Sequence, residues 1–564
     1  MRIAVLTALA VFALPLPAQW VRLASPHFTL FTDAGEKTGR QLLVSLEQVR
    51  EVFRDLGGGH KGSPLSVRVY LFASPKDYRH YQSLPAVKGF YQGGPDVNHI
   101  VLLSSDAETR RIAFHEYVHL VLNHSSLRLP QWLEEGTAEF YSTLEPRAAK
   151  LVVGRPIESH VRTLAVQDWL DGATLAAVTR RSPLLDEASK AGIFYAQSWA
   201  LVHMMNFDED YRRGLPRYAE LLADGEPAAE IFEKAFGRSL DQALSGLRSY
   251  LAAGRWATAE VPWNPPEPVT VVPEPLTEAD RDLALLNLQF ALGLWDISEH
   301  TLRALARRRE ESPEVETARA KLAMSRKDFE AARRHFETAI ALGSREPSTY
   351  FEYAMLLRDS GGDRDQVTAH LRKTVELNPH HAEAHFLLGR LEGDVEHLRR
   401  AAEILPRQTS FWHALAVAYH EDNRPDLARS AARRALEAAV TEAEREMAQA
   451  ALALVARTSE TPAERPAVTT PRSWFPRQGD SRIEGLLENI DCLGPSARLQ
   501  IRSGDRRLAL FVEDPTKVQV KNVSSHTFEF SCGRQQARPV VVEYLAAPDS
   551  AHESAGTVTS IELR

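Results

Sequence analysis

The stretch that decides the fold of the first domain is Arg111-Ile-Ala-Phe-His115-Glu116-Tyr-Val-His119-Leu-Val-Leu122. It contains the pattern H-E-x-x-H within a run that is apolar on both sides, which predicts a buried helix. Two histidines four positions apart lie on one face of a helix, so both imidazoles can reach a single metal ion. Glu116 lies about 100° further round the helix, where its carboxylate can reach a water molecule without binding the metal.

The pattern alone also fits two surface histidines on an amphipathic helix. With 20 histidines in 564 residues, chance supplies such a pattern in roughly one chain in twenty. The segment from Leu129 to Tyr141 favours the metal interpretation, because Pro130 can open a helix that carries Glu134, Glu135 and Glu139. Zinc held by two histidines needs a third protein ligand, which a carboxylate on this next helix can supply.

Trp132-Leu-Glu-Glu-Gly-Thr-Ala138 resembles the W-L-x-E-G-x-A segment of gluzincin metallopeptidases, the clan of thermolysin and of the aminopeptidase N group. The resemblance implies an α+β peptidase domain, one catalytic Zn²⁺ ion, and Glu135 as the third ligand beside the two histidines. It also implies that Glu139 orients a ligand histidine through the ring nitrogen that does not bind the metal. Two alternatives stay open, namely Glu134 as the ligand and Glu139 as an exposed charge.

A later segment, from Phe194 to Met205, is similar to the helix that follows the active site in gluzincins of the aminopeptidase N type. The resemblance implies that Tyr195, at its start, stabilises an oxyanion; a core tyrosine packed beside Trp199 is the alternative. The chain departs from the aminopeptidases at Gly89-Phe-Tyr-Gln-Gly-Gly94, which lacks the glutamate that holds a substrate amine, and this favours an endopeptidase. Over roughly residues 25–206 the arrangement looks closest to bacterial peptidase-MA-like domains, which are often exported and joined to tetratricopeptide repeats.

These residues together predict zinc-dependent hydrolysis of peptides or proteins. His115, His119 and Glu135 are expected to hold the zinc, with Glu116 as the general base and Tyr195 as the oxyanion donor. The alternative function is a periplasmic protein-interaction scaffold whose peptidase domain is weak or inactive. A combination of the two, in which repeats recruit a protein that the zinc site cuts, is compatible with both.

Residues 1–18 have the features of a secretory signal. Arg2 supplies a positive charge and Ile3–Leu16 is almost wholly apolar, but this run is shorter than the roughly 20 residues needed to span a bilayer. We therefore expect an exported bacterial protein, periplasmic or secreted, with no transmembrane span after signal cleavage. An uncleaved membrane anchor is the alternative.

The pattern of strands followed by helices in residues 19–259 predicts an α+β metallopeptidase domain. The proline-rich segment 260–277 is expected to be a linker. Residues 278–457 read as helical throughout, and three core positions recur after 35 residues: Ala332, Phe336 and Ala339 match Val367, Leu371 and Thr374. This stretch resembles tetratricopeptide repeats and predicts a solenoid that binds protein partners; a generic helical bundle is the alternative.

A second polar linker is predicted at 458–476, followed by a small β-sandwich or barrel at 477–564, where short alternating runs return. Cys492 and Cys532 are the two cysteines of the chain, and either a disulfide between them or two buried thiols fits this module. The chain is 44% hydrophobic and 25% charged with a net charge of −8. This composition indicates a folded protein and argues against nucleic-acid binding, which usually shows a basic surface.

Overall fold

The computed structural model describes residues 19–563, with gaps at 57–64, 83–86, 106–107, 126–128, 148–149, 224–227, 253–255, 264, 310, 459–478, 505, 516–517 and 522–531. The N-terminal region contains nine strands: β1 Val21–Ala24, β2 Phe28–Thr32, β3 Ser66–Phe72, β4 Gly89–Gln92, β5 Val97–Leu103, β6 Glu145–Arg147, β7 Lys150–Val153, β8 Ala259–Pro262 and β9 Val272–Pro275. Its helices are α1 Glu36–Leu56, α2 Pro75–Tyr78, α3 Glu108–Asn123, α4 Gln131–Ser142, α5 Glu158–Val166, α6 Gly172–Ala177, α7 Ala188–Phe207, α8 Glu209–Ala223, α9 Ala228–Phe236 and α10 Leu240–Ala252, with a 3-10 helix at Pro183–Asp186.

A mixed six-stranded sheet in the order β4-β5-β3-β2-β1-β9 forms the centre of this region. Strands β2, β3 and β5 pair in parallel, while β1, β4 and β9 are antiparallel to their neighbours. Apolar residues recur, in part alternating with polar ones, at 27–32, 66–72 and 99–104 of the sequence, and these stretches coincide with the three parallel strands. The other three strands have four residues each, which is too short for alternation to show in the sequence.

Both faces of this sheet are covered by helices. Leu30, Val69 and Ile100 pack on one face with the apolar sides of α1 and α3. Phe31, Tyr70 and Val101 pack on the other face against α11 (Glu278–Ala291), the first helix of the repeat region. The N-terminal domain and the repeats therefore share a hydrophobic core.

The proline-rich segment 260–277 forms part of the sheets. Its strand β9 pairs with β1, placing Val272 opposite Ala24, and β8 pairs with β7 in a second sheet of order β6-β7-β8. Proline lacks an N–H donor, so it is tolerated in edge strands such as β9. The segment is extended, as its prolines favour, but it pairs with the N-terminal domain and is not a separate linker.

The repeat region consists of antiparallel helix pairs. After α11 follow α12 Trp295–Arg308, α13 Pro313–Ser325, α14 Phe329–Ala341, α15 Pro347–Asp359, α16 Arg364–Leu377, α17 Ala382–Glu392, α18 Val395–Ile404, α19 Thr409–Glu421, α20 Pro425–Ala438 and α21 Glu442–Thr458. The two sets of recurring residues occupy the second helix of successive pairs, α14 and α16, and all six are fully buried. The equivalence predicted from the 35-residue offset is thus confirmed.

The C-terminal module is an all-β domain. Its strands are β10 Ser481–Leu493, β11 Ser496–Ser503, β12 Arg506–Val512, β13 Gln519–Lys521, β14 Gly533–Leu545 and β15 Thr557–Leu563. They follow the order β12-β11-β10-β14-β15-β13, and an additional pairing of β12 with β15 closes five of them into a ring. A disulfide joins Cys492 to Cys532, whose Cα atoms are 5.5 Å apart, so the interpretation as two separate thiols is wrong.

Several predicted segments lie outside the described residues: the signal at 1–18, nearly all of the linker at 458–476, and residues 527–530 of the predicted β module. Within the part of the chain that the structure describes, no helix is both long enough and apolar enough to cross a bilayer.

Candidate functional site

Helix α3 presents the two histidines to helix α4. Its apolar stripe of Ala113, Phe114 and Tyr117 packs into the core beneath the sheet, so the opposite stripe faces away from the sheet. On that stripe the Nε2 atoms of His115 and His119 lie 3.0 Å apart. Both side chains are only 12% exposed, which excludes the alternative of two surface histidines.

Glu135 of α4 completes a triangle of donor atoms. Its Oε2 lies 3.4 Å from Nε2 of His115 and 3.3 Å from Nε2 of His119. A tetrahedral zinc ion with bonds of about 2.0–2.1 Å requires ligand atoms about 3.3 Å apart, so the triangle has the dimensions of a zinc site. Among the described residues, this is the one group of three or more His, Cys, Asp or Glu side chains whose donors converge so closely.

The backbone of α4 is held in place by its contact with α7. A Cβ atom on Gly136 would collide with the backbone carbonyl of Ser198 and lie 2.7 Å from a methyl group of Val202. Only glycine permits this close approach. Trp132, one turn earlier, is buried beside Phe232 and anchors the same helix. The W-L-x-E-G-x-A pattern thus has a packing function that sets the position of Glu135.

A second carboxylate lies behind each histidine. Oε1 of Glu139 is 3.4 Å from Nδ1 of His115, and Oε1 of Glu134 is 3.6 Å from Nδ1 of His119. Carboxylates in this position fix the ring orientation and the tautomer of metal-binding histidines. Glu139 is 7% exposed, so it is not an exposed helix charge. Glu134 faces the Nδ1 side of its histidine, away from the three converging atoms, and is not placed as a ligand.

Further charged groups hold these two carboxylates. Arg111, one turn before His115, donates to Glu139 over 2.7 Å, and Nε2 of His160 lies 3.4 Å from the same carboxylate. Arg180 donates to Glu134 over 2.6 Å. No motif in the sequence marks Arg111, His160 or Arg180 as part of the site. The position of Arg111, one helical turn before His115, could have indicated a contact with the site. His160 and Arg180 are distant in sequence and reach the site only through the fold.

Electrostatics in this cluster follow from its burial. Burial raises the pKa of Glu116, and the nearby histidines only partly offset the effect. Burial opposes ionisation of Glu135 and Glu139, yet the adjacent histidines lower both pKa values, that of Glu139 to about 2. The same carboxylates overcome burial and raise the pKa of both histidines. A metal ion must therefore displace protons from the histidines, so its binding weakens in acid.

Tyr195 lies at the edge of the core near the site. Its ring packs at 5.6 Å from that of Phe194, and the side chain is partly buried. Burial raises its pKa, and the carboxylates of Glu135, Glu139 and Glu116 raise it further. Its hydroxyl group is therefore protonated and lies in the electrostatic field of the site. Trp199, one turn later on α7, is buried in the same core cluster, and its ring lies 5.0 Å from that of Trp256.

Glu116 points toward strand β4, a further neighbour that the sequence analysis does not predict. The backbone N–H of Tyr91 faces this carboxylate and lowers its pKa slightly, against the larger effect of burial. Strand β4 is the terminal strand of its sheet and pairs with β5 alone among the described strands. The region from Gly89 to Gly94, notable in the sequence for lacking an acid, is therefore beside the site.

Comparison with known proteins concerns the repeats. No protein-family model matches the chain, and no curated protein sequence matches it. Similar solved structures include YrrB, a TPR protein with an unusual peptide-binding site (15% identity, 31% of this chain, 91% of that chain, TM-score 0.25). Another is TTC0263, a thermophilic TPR protein in Thermus thermophilus (22% identity, 31% of this chain, 99% of that chain, TM-score 0.24). A third is pilF of Pseudomonas aeruginosa (15% identity, 32% of this chain, 90% of that chain, TM-score 0.27).

These similarities cover about a third of the chain, and their TM-scores are too low to add to the helix pairs seen directly. These similarities concern the helical repeats, which are also the basis of the interaction-scaffold alternative. They give no support to peptidase activity. The helix pairs and the strand order of the structure itself show a tetratricopeptide-like helical region and a C-terminal β domain. For the zinc site, the side-chain geometry is the evidence.

Proposed function

We propose that the chain is a zinc-dependent metallopeptidase. The observation that carries this proposal is the triangle of donor atoms from His115, His119 and Glu135 with edges of 3.0, 3.3 and 3.4 Å. The carboxylates of Glu134 and Glu139 behind the two histidines support it, because a metal-binding histidine needs its second ring nitrogen oriented. When bound there, Zn²⁺ supplies Lewis acidity toward a water molecule and a substrate carbonyl.

Glu116 is the proton carrier in this proposal. It is next to a ligand histidine in sequence, is buried, and is absent from the donor triangle. Its carboxylate takes the proton that the attacking water loses and delivers it to the leaving amine.

Tyr195 is the proposed oxyanion donor. Because its pKa is raised by burial and by the three carboxylates, it keeps its proton and can donate a hydrogen bond at neutral pH. A donor aimed at charge that appears only in the transition state accelerates the reaction without tightening ground-state binding.

A peptide is the substrate class that the surroundings favour. The terminal strand β4 lies beside Glu116, and a terminal strand offers backbone hydrogen bonds to an extended peptide. The region from Gly89 to Gly94 carries no acidic side chain that could hold an amino terminus. An endopeptidase is therefore favoured over an aminopeptidase.

The decisive experiment is Glu116→Gln in the zinc-loaded full chain. We expect hydrolysis of unstructured protein to fall by about 10²–10⁴-fold while zinc content, measured by mass spectrometry, stays at one ion per chain. Glu108→Gln is the matched control, because Glu108 is on the same helix, half-exposed and paired with Lys88, and should leave the rate unchanged. Full activity in Glu116→Gln would refute the mechanism.

The second candidate function is a protein-interaction scaffold. The ten paired helices α11–α20 favour it, since such repeats present extended binding surfaces. A purified protein without stoichiometric zinc and without chelator-sensitive proteolysis would favour this function over the first. Both functions hold together if the repeats recruit the protein that the zinc site cleaves.

Export to the bacterial periplasm or medium completes the proposal. The disulfide between Cys492 and Cys532 supports it, because such bonds persist in oxidising compartments. Fractionation of cells with an antibody against the chain tests it, and recovery in the cytosol alone would contradict it.

A further inference from the structure

The repeats contact the N-terminal domain at a place close to the candidate active site. Two turns between successive helix pairs make this contact. In the first turn, Asn378 donates to Asp96 over 3.1 Å, and Nε2 of the fully buried His381 lies 3.2 Å from the same carboxylate. In the second turn, Arg407 donates to the backbone carbonyl of Ser125 over 3.2 Å. Apolar packing reinforces the contact, since Leu65 is buried in the repeat core.

A chain of hydrogen bonds leads inward from this contact. His124, at the end of α3, has its Nδ1 3.4 Å from the carbonyl of Ile404 in the repeats. Its Nε2 lies 3.2 Å from Nδ2 of Asn98. The hydroxyl of Tyr91 then donates to Oδ1 of Asn98 over 2.8 Å and accepts from Asn123 over 3.1 Å.

The direction of each bond is consistent along the whole chain. Nδ1–H of His124 donates to the Ile404 carbonyl, so its Nε2 accepts from Asn98, whose oxygen in turn accepts from Tyr91. Only a neutral imidazole can do both. Burial lowers the pKa of His124 to about 4, which keeps the ring neutral near pH 7. We call Tyr91, Asn98 and His124 the tyrosine chain.

The tyrosine chain ends at the general base. Tyr91 is in strand β4, which packs so closely on α3 that a Cβ atom on Gly89 would collide with Ile112, and its backbone N–H helps to lower the pKa of Glu116 against the effect of burial. Because β4 pairs with one neighbour only among the described strands, its position depends on side-chain contacts more than that of an interior strand does. The hydroxyl group of Tyr91 connects this strand, through Asn98 and His124, to the repeats.

We propose that Tyr91, Asn98 and His124 are positioning residues through which the docked repeats hold strand β4 against Glu116. The catalytic half of this inference rests on the proposed function. A displacement of about 1 Å at a reacting group can lower a rate about 100-fold, so loosening β4 should slow hydrolysis even though no zinc ligand changes. The repeats thereby contribute to catalysis as well as to partner binding.

The test compares two Tyr→Phe variants of the zinc-loaded full chain. Tyr91→Phe removes the hydroxyl from the tyrosine chain and keeps the ring. Tyr81→Phe is the matched control, because Gln289 of α11 donates to Tyr81 over 3.2 Å and joins the two domains far along the repeats from Ile404. Asn378→Ala weakens the contact from the repeat side without touching any group near the zinc site.

Amide hydrogen exchange at residues 89–92 and kcat for peptide hydrolysis are the two readouts. We expect Tyr91→Phe and Asn378→Ala to speed exchange at Tyr91 about tenfold and to lower kcat about tenfold, with zinc content unchanged. Tyr81→Phe should match the wild type in both. Unchanged exchange in the first two variants overturns the inference, and so does faster exchange with a wild-type kcat.

The exchange readout also separates this inference from the proposed function. If the wild type binds zinc but cleaves no peptide, the peptidase proposal fails. Amide hydrogen exchange at β4 needs no substrate. In that case it still decides whether the tyrosine chain couples the docked repeats to the stability of strand β4.

Discussion

The helices of the candidate metal site and those of the repeats both bury side chains, but of opposite kinds. Helix α4 buries three glutamates within six positions, and α3 buries a fourth, Glu116. The repeat helix α14 buries Ala332, Phe336 and Ala339. Burying charge costs free energy unless each charge is paired, whereas burying apolar side chains is favourable by itself. The comparison contrasts a region held together by apolar packing with one whose buried glutamates depend on paired cations and histidines.

The largest effect should come from removing a donor of the triangle. In Glu135→Ala the two histidines lose the third ligand, so we expect loss of stoichiometric zinc and a fall in hydrolysis of at least about 10³-fold. Metal content and peptide cleavage measure this. Glu330→Ala, on the exposed side of α14, is the control from the repeats. Retained zinc in Glu135→Ala would show that the site is not the metal centre.

A large apolar truncation should separate the two regions by stability. Phe336→Ala in α14 removes a fully buried ring and should lower the free energy of unfolding of the repeats by about 3–5 kcal/mol. Phe329→Ala is matched to it, on the same helix but 49% exposed, and should cost far less. Chemical denaturation followed by circular dichroism gives both values. Equal losses in the two variants would contradict the packing described for the repeats.

The carboxylates behind the histidines should have a smaller effect than the ligands. Glu139→Gln and Glu134→Gln each keep the side-chain shape but remove the charge that faces Nδ1, so we expect zinc affinity to fall about 10–100-fold. Competition with a chromogenic chelator measures it. If Glu134→Gln leaves the affinity unchanged while Glu139→Gln weakens it, only one of the two histidines is oriented in this way.

Acid should destabilise the domain through a histidine outside the site. Burial and then Arg68 lower the pKa of His99 to about 3, whereas the unfolded chain titrates near pH 6.5. The unfolded state binds more protons between these values, so stability falls as the pH drops below 6.5, by about 2 kcal/mol at pH 5. Unfolding of wild type and His99→Asn at pH 7 and 5 tests this, and an equal pH dependence would contradict it.

Much of the site was predictable because its signals are local. The spacing of His115 and His119 follows from helix geometry alone, and Glu135 is marked by the glycine after it. Glu139 was predictable from its place one turn further along α4. From the sequence, Glu134 is a candidate ligand only. Its actual position at Nδ1 of His119 is not predictable, because sequence spacing does not say on which side of an imidazole a carboxylate lies.

The remaining partners could not be predicted, since they come from distant parts of the chain. His160 and Arg180 reach the site through the packing of α4 against its neighbours. Tyr91 lies in a strand of four residues, too short for a periodic signal. The proline-rich segment shows the same limit, because an extended strand and an extended linker have the same composition, and only pairing with β1 distinguishes them.

The sequence by itself determined the helices, the three parallel strands, the repeat period and the donor types, because these depend on spacing within one element. Only the tertiary structure decided that β9 joins the sheet, that the cysteines pair, that each histidine has its own carboxylate, and that the repeats reach Tyr91 through His124 and Asn98. The physical reason is that such contacts join residues far apart in the chain. Their formation depends on how whole faces pack together, which no local pattern records.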